Sequence, residues 1–488
     1  MVPVFTGAGA RRLAARLVPV VLPWALACAH RQPAASSRGW HYEVAATPQL
    51  DRLDVTVCFR DRLPRTLVAD ESGAASYILE PRAVTRDRPL TLDREAETLD
   101  TTGATGKCLA YAVDLARMAD EVDDRPTVRV GGVVATSPHL WLWRPSQLTQ
   151  EAEVTLELKL PTGVQASVPW PTDGAPGRHR LPHTAFTWAS QVVLGEFDAL
   201  RFTAAGCEFE VAVMKLPREI SDAGIQRWLG TAAKTVASLY GGQFPVPHMQ
   251  VIVVPYRGGG DPAYFGMALR GGGPAVQLLI SGSAEDDAFP GEWVAIHEFL
   301  HHAMPFVQRD DAWLSEGFVT YYTEVLLARM GFQSERESWQ ALLAGFGRGQ
   351  RGGTGQSLAE ESRQMHVNHA YQRVYWGGAA IALLADVTLR EAGGSLDDAM
   401  RALQRCCAAT LRIWPSGQIL QALDDSGASH GYPSLTALSG PILRSADFPD
   451  LTPIYRKLGV SMVNGEPTLD ESAPIAPLRR AIFTQPRP

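Results

Sequence analysis

Two histidines four residues apart, His297 and His301, lie in the stretch Trp293-Val294-Ala295-Ile296-His297-Glu298-Phe299-Leu300-His301, and its spacing admits one local structure. Trp293, Ile296, Leu300 and Met304 recur at three- and four-residue steps, the pattern of an amphipathic helix. Pro290-Gly291 marks its approach and Pro305 disfavours the helical conformation at Met304, so a helix over about 292–304 is expected. On it the two imidazoles lie roughly 5–6 Å apart at Cβ, close enough to share one metal ion. Glu298 is turned from His297 by about 100°, beside that metal, where a carboxylate can take a proton from water. His302 faces the other way and is expected at the surface or as a supporting histidine.

A catalytic zinc takes three protein ligands and a water, so a third ligand is required. Glu316 in Trp313-Leu314-Ser315-Glu316-Gly317 is the candidate, carried on a second long helix that continues to about Met330. His297, His301 and Glu316 around Zn2+, with Glu298 as general base, would make a metal-assisted hydrolase.

With these residues in place the chain resembles the gluzincin metallopeptidases, in particular the glycyl aminopeptidase-like family, and more distantly the larger aminopeptidases with a thermolysin-like catalytic domain. The resemblance spans about 205–400. It includes Tyr240-Gly241-Gly242-Gln243-Phe244-Pro245-Val246-Pro247 before a strand at 249–254, and Val374-Tyr375-Trp376-Gly377-Gly378-Ala379 before Ile381-Ala382-Leu383-Leu384-Ala385-Asp386. It implies that Tyr375 donates a hydrogen bond to the oxyanion of a peptide substrate. Tyr371 is the nearby competitor, and His366 or His369 would serve instead on a thermolysin plan. It also implies that Gly266, Met267 and Ala268 form a substrate-binding edge strand.

The chain departs from the family pattern in three ways. Fourteen residues separate His301 from Glu316, a short connection that reshapes one wall of the cleft. Ala268 stands where aminopeptidases carry the glutamate that binds a free amine, while nearby Arg270 favours a carboxylate or peptide carbonyl, which leaves exo- versus endo-action open. Fewer than ninety residues follow Cys407, and the peptide-binding PDZ domain common in the family does not fit.

Arg11, Arg12 and Arg16 precede an apolar run of about eleven residues, too short for a bilayer that needs around twenty, and Ala25-Leu26-Ala27-Cys28 resembles a lipoprotein cleavage site. Residues 1–27 are therefore expected to be an export signal, Cys28 a lipid attachment point and 28–39 a flexible tether, with simple cleavage to a periplasmic or secreted protein as the alternative. A lipid there would be the chain's link to a membrane.

The whole chain has 45 basic and 52 acidic residues, net −7, and loss of residues 1–27 removes three arginines and no acid, giving −10. A nucleic-acid partner is therefore not expected. Arginine outnumbers lysine 40 to 5, but the arginines are scattered among acids.

With 45% hydrophobic residues, 488 residues imply a multidomain chain. Alternating runs such as Leu53-Asp54-Val55-Thr56-Val57-Cys58-Phe59 predict an N-terminal all-β sandwich over 40–204. An α+β thermolysin-like zinc peptidase domain follows over 205–345, with strands at 208–214, 250–254 and 276–280 and a helix at 222–239. A mainly α-helical C-terminal domain over 346–488 completes the cleft, and the Gly- and Arg-rich stretch 345–355 reads as a linker. The glycine triplets 258–260 and 271–273 read either as a mobile substrate loop or as loose turns. Cys58 and Cys108 are the expected disulfide, whereas Cys406 and Cys407 are expected to be buried and unbonded to each other.

The function expected is hydrolysis of peptide or protein substrates. The alternatives are an inactive peptidase-fold envelope lipoprotein used as a binding or scaffolding module, and a zinc hydrolase of a non-peptide substrate. Oligomeric state and natural substrate are not legible in the sequence.

Overall fold

The computed structural model of the protein describes residues 39–121, 127–258, 260–410 and 412–485. The signal expected at 1–27, the lipidation site Cys28 and nearly all of the tether lie outside the described residues. Gly39, the tether's last residue, already opens the first strand.

The N-terminal region is built from several β-sheets. A seven-stranded sheet has Gly39–Ala46 near its middle, parallel to Glu153–Lys159 and antiparallel to Arg52–Phe59. Two four-stranded sheets complete the region. Trp40, Tyr42 and Val44 alternate inward along the first strand and Val55 and Val57 along the next, so a period of two places one face of each in the core. Two tyrosine hydroxyls stay satisfied inside it: Tyr42 donates to the Trp143 carbonyl and Tyr111 to the Trp141 carbonyl, each at 2.7 Å. Cys58 and Cys108 face each other on paired strands and are disulfide-bonded.

The sheet that carries the site has strands β1 (Asp198–Ala204), β2 (Cys207–Val213), β3 (His248–Tyr256), β4 (Ala263–Leu269) and β5 (Ala275–Ser281), in the order β1-β2-β3-β5-β4. β2, β3 and β5 run parallel, and β4 is an antiparallel edge. β1 pairs with β2 along its whole length, so this sheet begins before the expected division at 204/205. Helix α1 (Asp222–Leu239) occupies the expected span because Ser221 caps it, accepting from the Gly224 N–H.

Glycines 271–273 are neither a mobile loop nor a loose turn. A Cβ on Gly271 would lie 2.2 Å from the Trp188 carbonyl oxygen, and one on Gly273 2.0 Å from that of Pro169. The Arg270 and Gly271 N–H groups both donate to the Ala189 carbonyl. The β4–β5 turn is thus wedged against the N-terminal region, and glycine is required by close approach.

Five helices build the opposite side of the site: α2 (Trp293–His301), α3 (Ala312–Arg329), α4 (Glu335–Arg351), α5 (Leu358–Arg363) and α6 (Tyr371–Glu391). Phe299 of α2 packs its ring 5.6 Å from that of Phe209 and 5.4 Å from that of Phe244, seating the helix on the sheet. The expected linker at 345–355 is largely α4. Ser334 and Glu337 cap that helix reciprocally, and Gly345 and Gly349 lie against Trp376, where any side chain would collide. Behind the site, Tyr321 donates to Asp386 at 2.8 Å and Tyr322 to Asp397 at 2.9 Å, while Arg329 and Arg390 neutralise the two acids. Such a network holds helices in register because each buried charge keeps its partner.

Cys406 and Cys407 are bonded to each other, contrary to the sequence expectation. Their backbone forms a five-residue π turn, Gln404–Ala408, and Cys407 is buried while Cys406 is exposed. Among the described residues no helix is long and apolar enough to cross a membrane.

Candidate metal centre and cleft

The histidine helix starts where Glu292 turns its carboxylate back onto the Val294 and Ala295 N–H groups at 2.8 and 3.3 Å. Burial raises this carboxyl to about 7 even though both bonds favour its ionised form. The helix ends at His301, three residues earlier than expected. His302 and Met304 turn back to Phe299 and His301 through tight three-residue hydrogen bonds before Pro305.

Val294, Ala295, Ile296, Phe299 and Leu300 form the buried face. Trp293, expected in that stripe, is 47% exposed and meets the His297 ring edge-on at 5.9 Å. His302 is not at the surface: it is 4% exposed, and its Nε2 lies 3.0 Å from the Ala275 carbonyl of β5. It fastens the helix to the sheet, and desolvation holds its pKa well below the usual imidazole range.

His297 Nε2 and His301 Nε2 converge on Glu316 Oε2, at 3.3 and 3.5 Å. Among the described residues this trio offers three ligand atoms, all within 4.8 Å of one another. Burial works to raise the Glu316 pKa, but His301 and His297 outweigh it and hold the carboxyl far below its ordinary range. Two imidazole nitrogens and one ionised oxygen directed at a common point fit a zinc ion in number and in kind.

Glu316 reaches that point because α3 crosses α6 with no side chain between them. A Cβ on Gly378 would lie 1.9 Å from the Trp313 carbonyl oxygen, and one on Gly317 2.3 Å from the Gly378 main chain. The glycines following Glu316 and Tyr375 are therefore the contact itself. The same crossing brings up Tyr375, whose ring lies parallel to that of His297 with centroids 6.2 Å apart. Burial first, then the Glu316 and Glu298 carboxylates, push its pKa far above the ordinary phenol value and keep the hydroxyl protonated.

Glu298 faces β4. A Cβ on Gly266 would stand 2.4 Å from Glu298 Cγ, so the general-base candidate is packed against bare main chain. Burial raises its pKa to about 7; His297 lowers it, Glu316 raises it, and a hydrogen bond from the Ala268 main chain lowers it. Gly266, Met267 and Ala268 line a cleft of about 810 Å³ with Glu298, His301, Glu316 and Tyr375.

The competing residues separate. Tyr371 and His366 line the same cleft, with His366 Nδ1 3.3 Å from the Tyr371 hydroxyl. His369 adopts a left-handed backbone conformation at φ 57° and packs on Tyr371. Arg270 lines the cleft but is also structural: its guanidinium donates to the His301 and Met304 carbonyls at the end of α2. Another cavity, about 820 Å³, lies in the N-terminal region around Trp40, Arg60 and His183, away from this chemistry.

A model of the family described as M61 glycyl aminopeptidase matches residues 304–381, the segment holding Glu316, Gly317, Tyr375 and Gly378. No curated protein sequence matches the chain. Among solved structures, an aminopeptidase N family protein from Idiomarina loihiensis superposes with a TM-score of 0.66 at 16% identity, covering 86% of this chain and 78% of that one. An M1 zinc metallopeptidase from Deinococcus radiodurans does so at 0.53 and 13% identity, over 85% and 94%. A two-domain M1 zinc metallopeptidase bound to L-arginine gives 0.52 at 14%, over 85% and 95%. At these identities the likeness to the structures is one of fold. The chain thus resembles the M61 glycyl aminopeptidases in the segment that joins its third candidate ligand to Tyr375, and it has the multidomain fold of the M1 zinc metallopeptidases.

Proposed function

We propose that the protein is a zinc-dependent peptidase that cleaves peptide bonds with water. The observation that carries this reading is the convergence of His297, His301 and Glu316 at a cleft that His301 and Glu316 line together with Tyr375 and the buried Glu298. Zinc held by His297, His301 and Glu316 would supply a Lewis acid and lower the pKa of water at the site.

Glu298, buried next to His297 and held against Gly266, is placed to act as the base. Its carboxylate accepts the proton of the attacking water and then delivers it to the nitrogen of the leaving amine. Gly266 and the Ala268 N–H fix where that carboxylate points. Tyr375 donates its hydroxyl hydrogen bond to the developing oxyanion, a contribution of several kcal/mol when the donor is preorganised. We further propose that the chain is exported and is acylated at Cys28, a reading of residues 1–28 that mass spectrometry of the mature N-terminus would test.

Incubation of a mixed peptide library with the intact protein and with Glu298→Gln, read by mass spectrometry, tests the function. New termini are expected with the intact protein only, and Glu298→Gln should lose at least about a thousandfold in turnover. Equal cleavage by the two would remove Glu298 from its role. Zinc binding without cleavage of any peptide would favour a binding protein or a hydrolase of other substrates.

A further inference from the structure

The charged and imidazole side chains lining the cleft fall into two sets. Glu298, His301 and Glu316 belong to the metal centre; what remains is Arg270, Arg309 and His366, with no carboxylate among them. A free ammonium group would therefore meet no unassigned acid among the described residues of these walls, and Ala268 offers none on the edge strand.

The two arginines are available. Arg309 is exposed and forms no ion pair among the described residues, although Asp310 and Asp311 adjoin it; Asp311 accepts instead from the Ser416 N–H at 2.8 Å. Arg270 donates through Nη2 to the His301 and Met304 carbonyls and lies over the Phe306 ring at 5.4 Å, while its Nε and Nη1 make no hydrogen bond among the described residues. A guanidinium in that condition gains from an anion that brings two oxygens, since its planar fork matches a carboxylate. His366, adjacent to Tyr371, adds an imidazole on the same wall.

We propose that this cleft selects peptides that present a carboxylate to Arg309 and Arg270, and that a free amino terminus is not what it recognises. The inference deepens the peptidase reading and rests on it for the word peptide. The carboxylate comes either from the peptide's own C-terminus or from an Asp or Glu side chain near the scissile bond.

The test uses zinc-loaded full-length protein carrying Glu298→Gln and peptide pairs of one sequence that differ in a single group: free or amidated C-terminus, Asp or Asn, free or acetylated amine. Equilibrium binding should weaken about tenfold on amidation or on Asp→Asn, whichever group supplies the anion, and stay unchanged on acetylation. Arg309→Gln, at an exposed position where folding is not in question, should erase the difference between the members of the carboxylate pair; Arg270→Lys, which keeps the charge but not the fork, should reduce it. Binding that falls on acetylation and ignores both carboxylate changes would overturn the proposal. Cleavage of every pair at equal rates by the unaltered protein would also overturn it while leaving the peptidase reading intact. Carboxylate-dependent binding with no cleavage would support the selectivity and remove the peptidase reading.

Discussion

The cleft has two walls that reach the same centre by opposite means. On the helical wall, Glu316 and Tyr375 are delivered by a crossing of α3 and α6 in which Gly317 and Gly378 bring main chain onto main chain, backed by buried ion pairs. On the strand wall, Glu298 rests on Gly266 of an exposed edge strand, in which Phe265 and Met267 are 48% and 38% exposed. Glycine serves both walls as a spacer. The difference is that the helical contact is part of the core, whereas the strand contact lies at its rim. Damage to the first should therefore appear as lost stability and lost metal, and damage to the second as lost turnover.

Gly378→Ala carries the largest expected effect. Its methyl group would stand 1.9 Å from a buried carbonyl oxygen, so the helices must part. A loss of about 3 kcal/mol or more in a denaturant melt, with reduced zinc content, is expected. A variant as stable as the parent would mean that the crossing is looser than described.

Gly266→Ala should separate the walls. The added methyl group meets Glu298 Cγ at 2.4 Å and Val294 Cγ1 at 2.8 Å, side-chain atoms of α2 that yield more readily than main chain. Stability should fall by about 1–2 kcal/mol, less than in Gly378→Ala, and zinc should stay bound, while kcat falls about a hundredfold because the Glu298 carboxylate is displaced. Loss of zinc equal to that in Gly378→Ala would erase the distinction.

How much of this was legible follows from the same contrast. The histidine helix and the side-by-side placement of His297, Glu298 and His301 could be read because helix periodicity fixes their mutual position, whereas Glu316, on another helix, was reached from the need for a third ligand. The helix expected at 222–239 also lies where it was read, and its start is a local matter too, since Ser221 accepts from the Gly224 N–H. Glycine misled wherever its neighbour is distant in sequence. Gly345 and Gly349 read as linker residues because glycine lowers helix propensity, yet each is required by Trp376 across a helix interface. Residues 271–273 read as a loop for want of any signal that Pro169 and Trp188 would press on them. Of the two expectations for His302, surface or support, β5 settles the second by supplying the carbonyl it binds, and the part of Arg270 that fastens the end of α2 carried no signal in the sequence because its partners lie about thirty residues away. A signal was available for the helix crossing: a glycine directly follows Glu316, and a glycine pair follows Tyr375 and Trp376.

The smallest expected effect sharpens the account of the helical wall. Glu324 of α3 is largely buried, and burial raises its carboxyl to about 7, with Arg348 and Gln333 partly opposing. A raised folded-state pKa means that its protonated form is favoured, so stability tied to this group is present below about pH 4.5 and is lost as pH rises towards 7. Glu324→Gln should therefore gain about 1 kcal/mol at pH 8 and flatten that dependence, measured by urea melts across pH. No gain would mean that the ionised group finds more support in the helix interface than Arg348 and Gln333 offer.

The most direct test of the central claim, that the α3–α6 crossing supplies the third ligand to the histidine pair, is zinc stoichiometry by elemental analysis of the purified protein, of Glu298→Gln and of Glu316→Ala. The account predicts close to one zinc per chain in the first two and a sharp loss in the third at the same free-zinc concentration. Full zinc occupancy in Glu316→Ala, or no zinc in the unaltered protein, would contradict it.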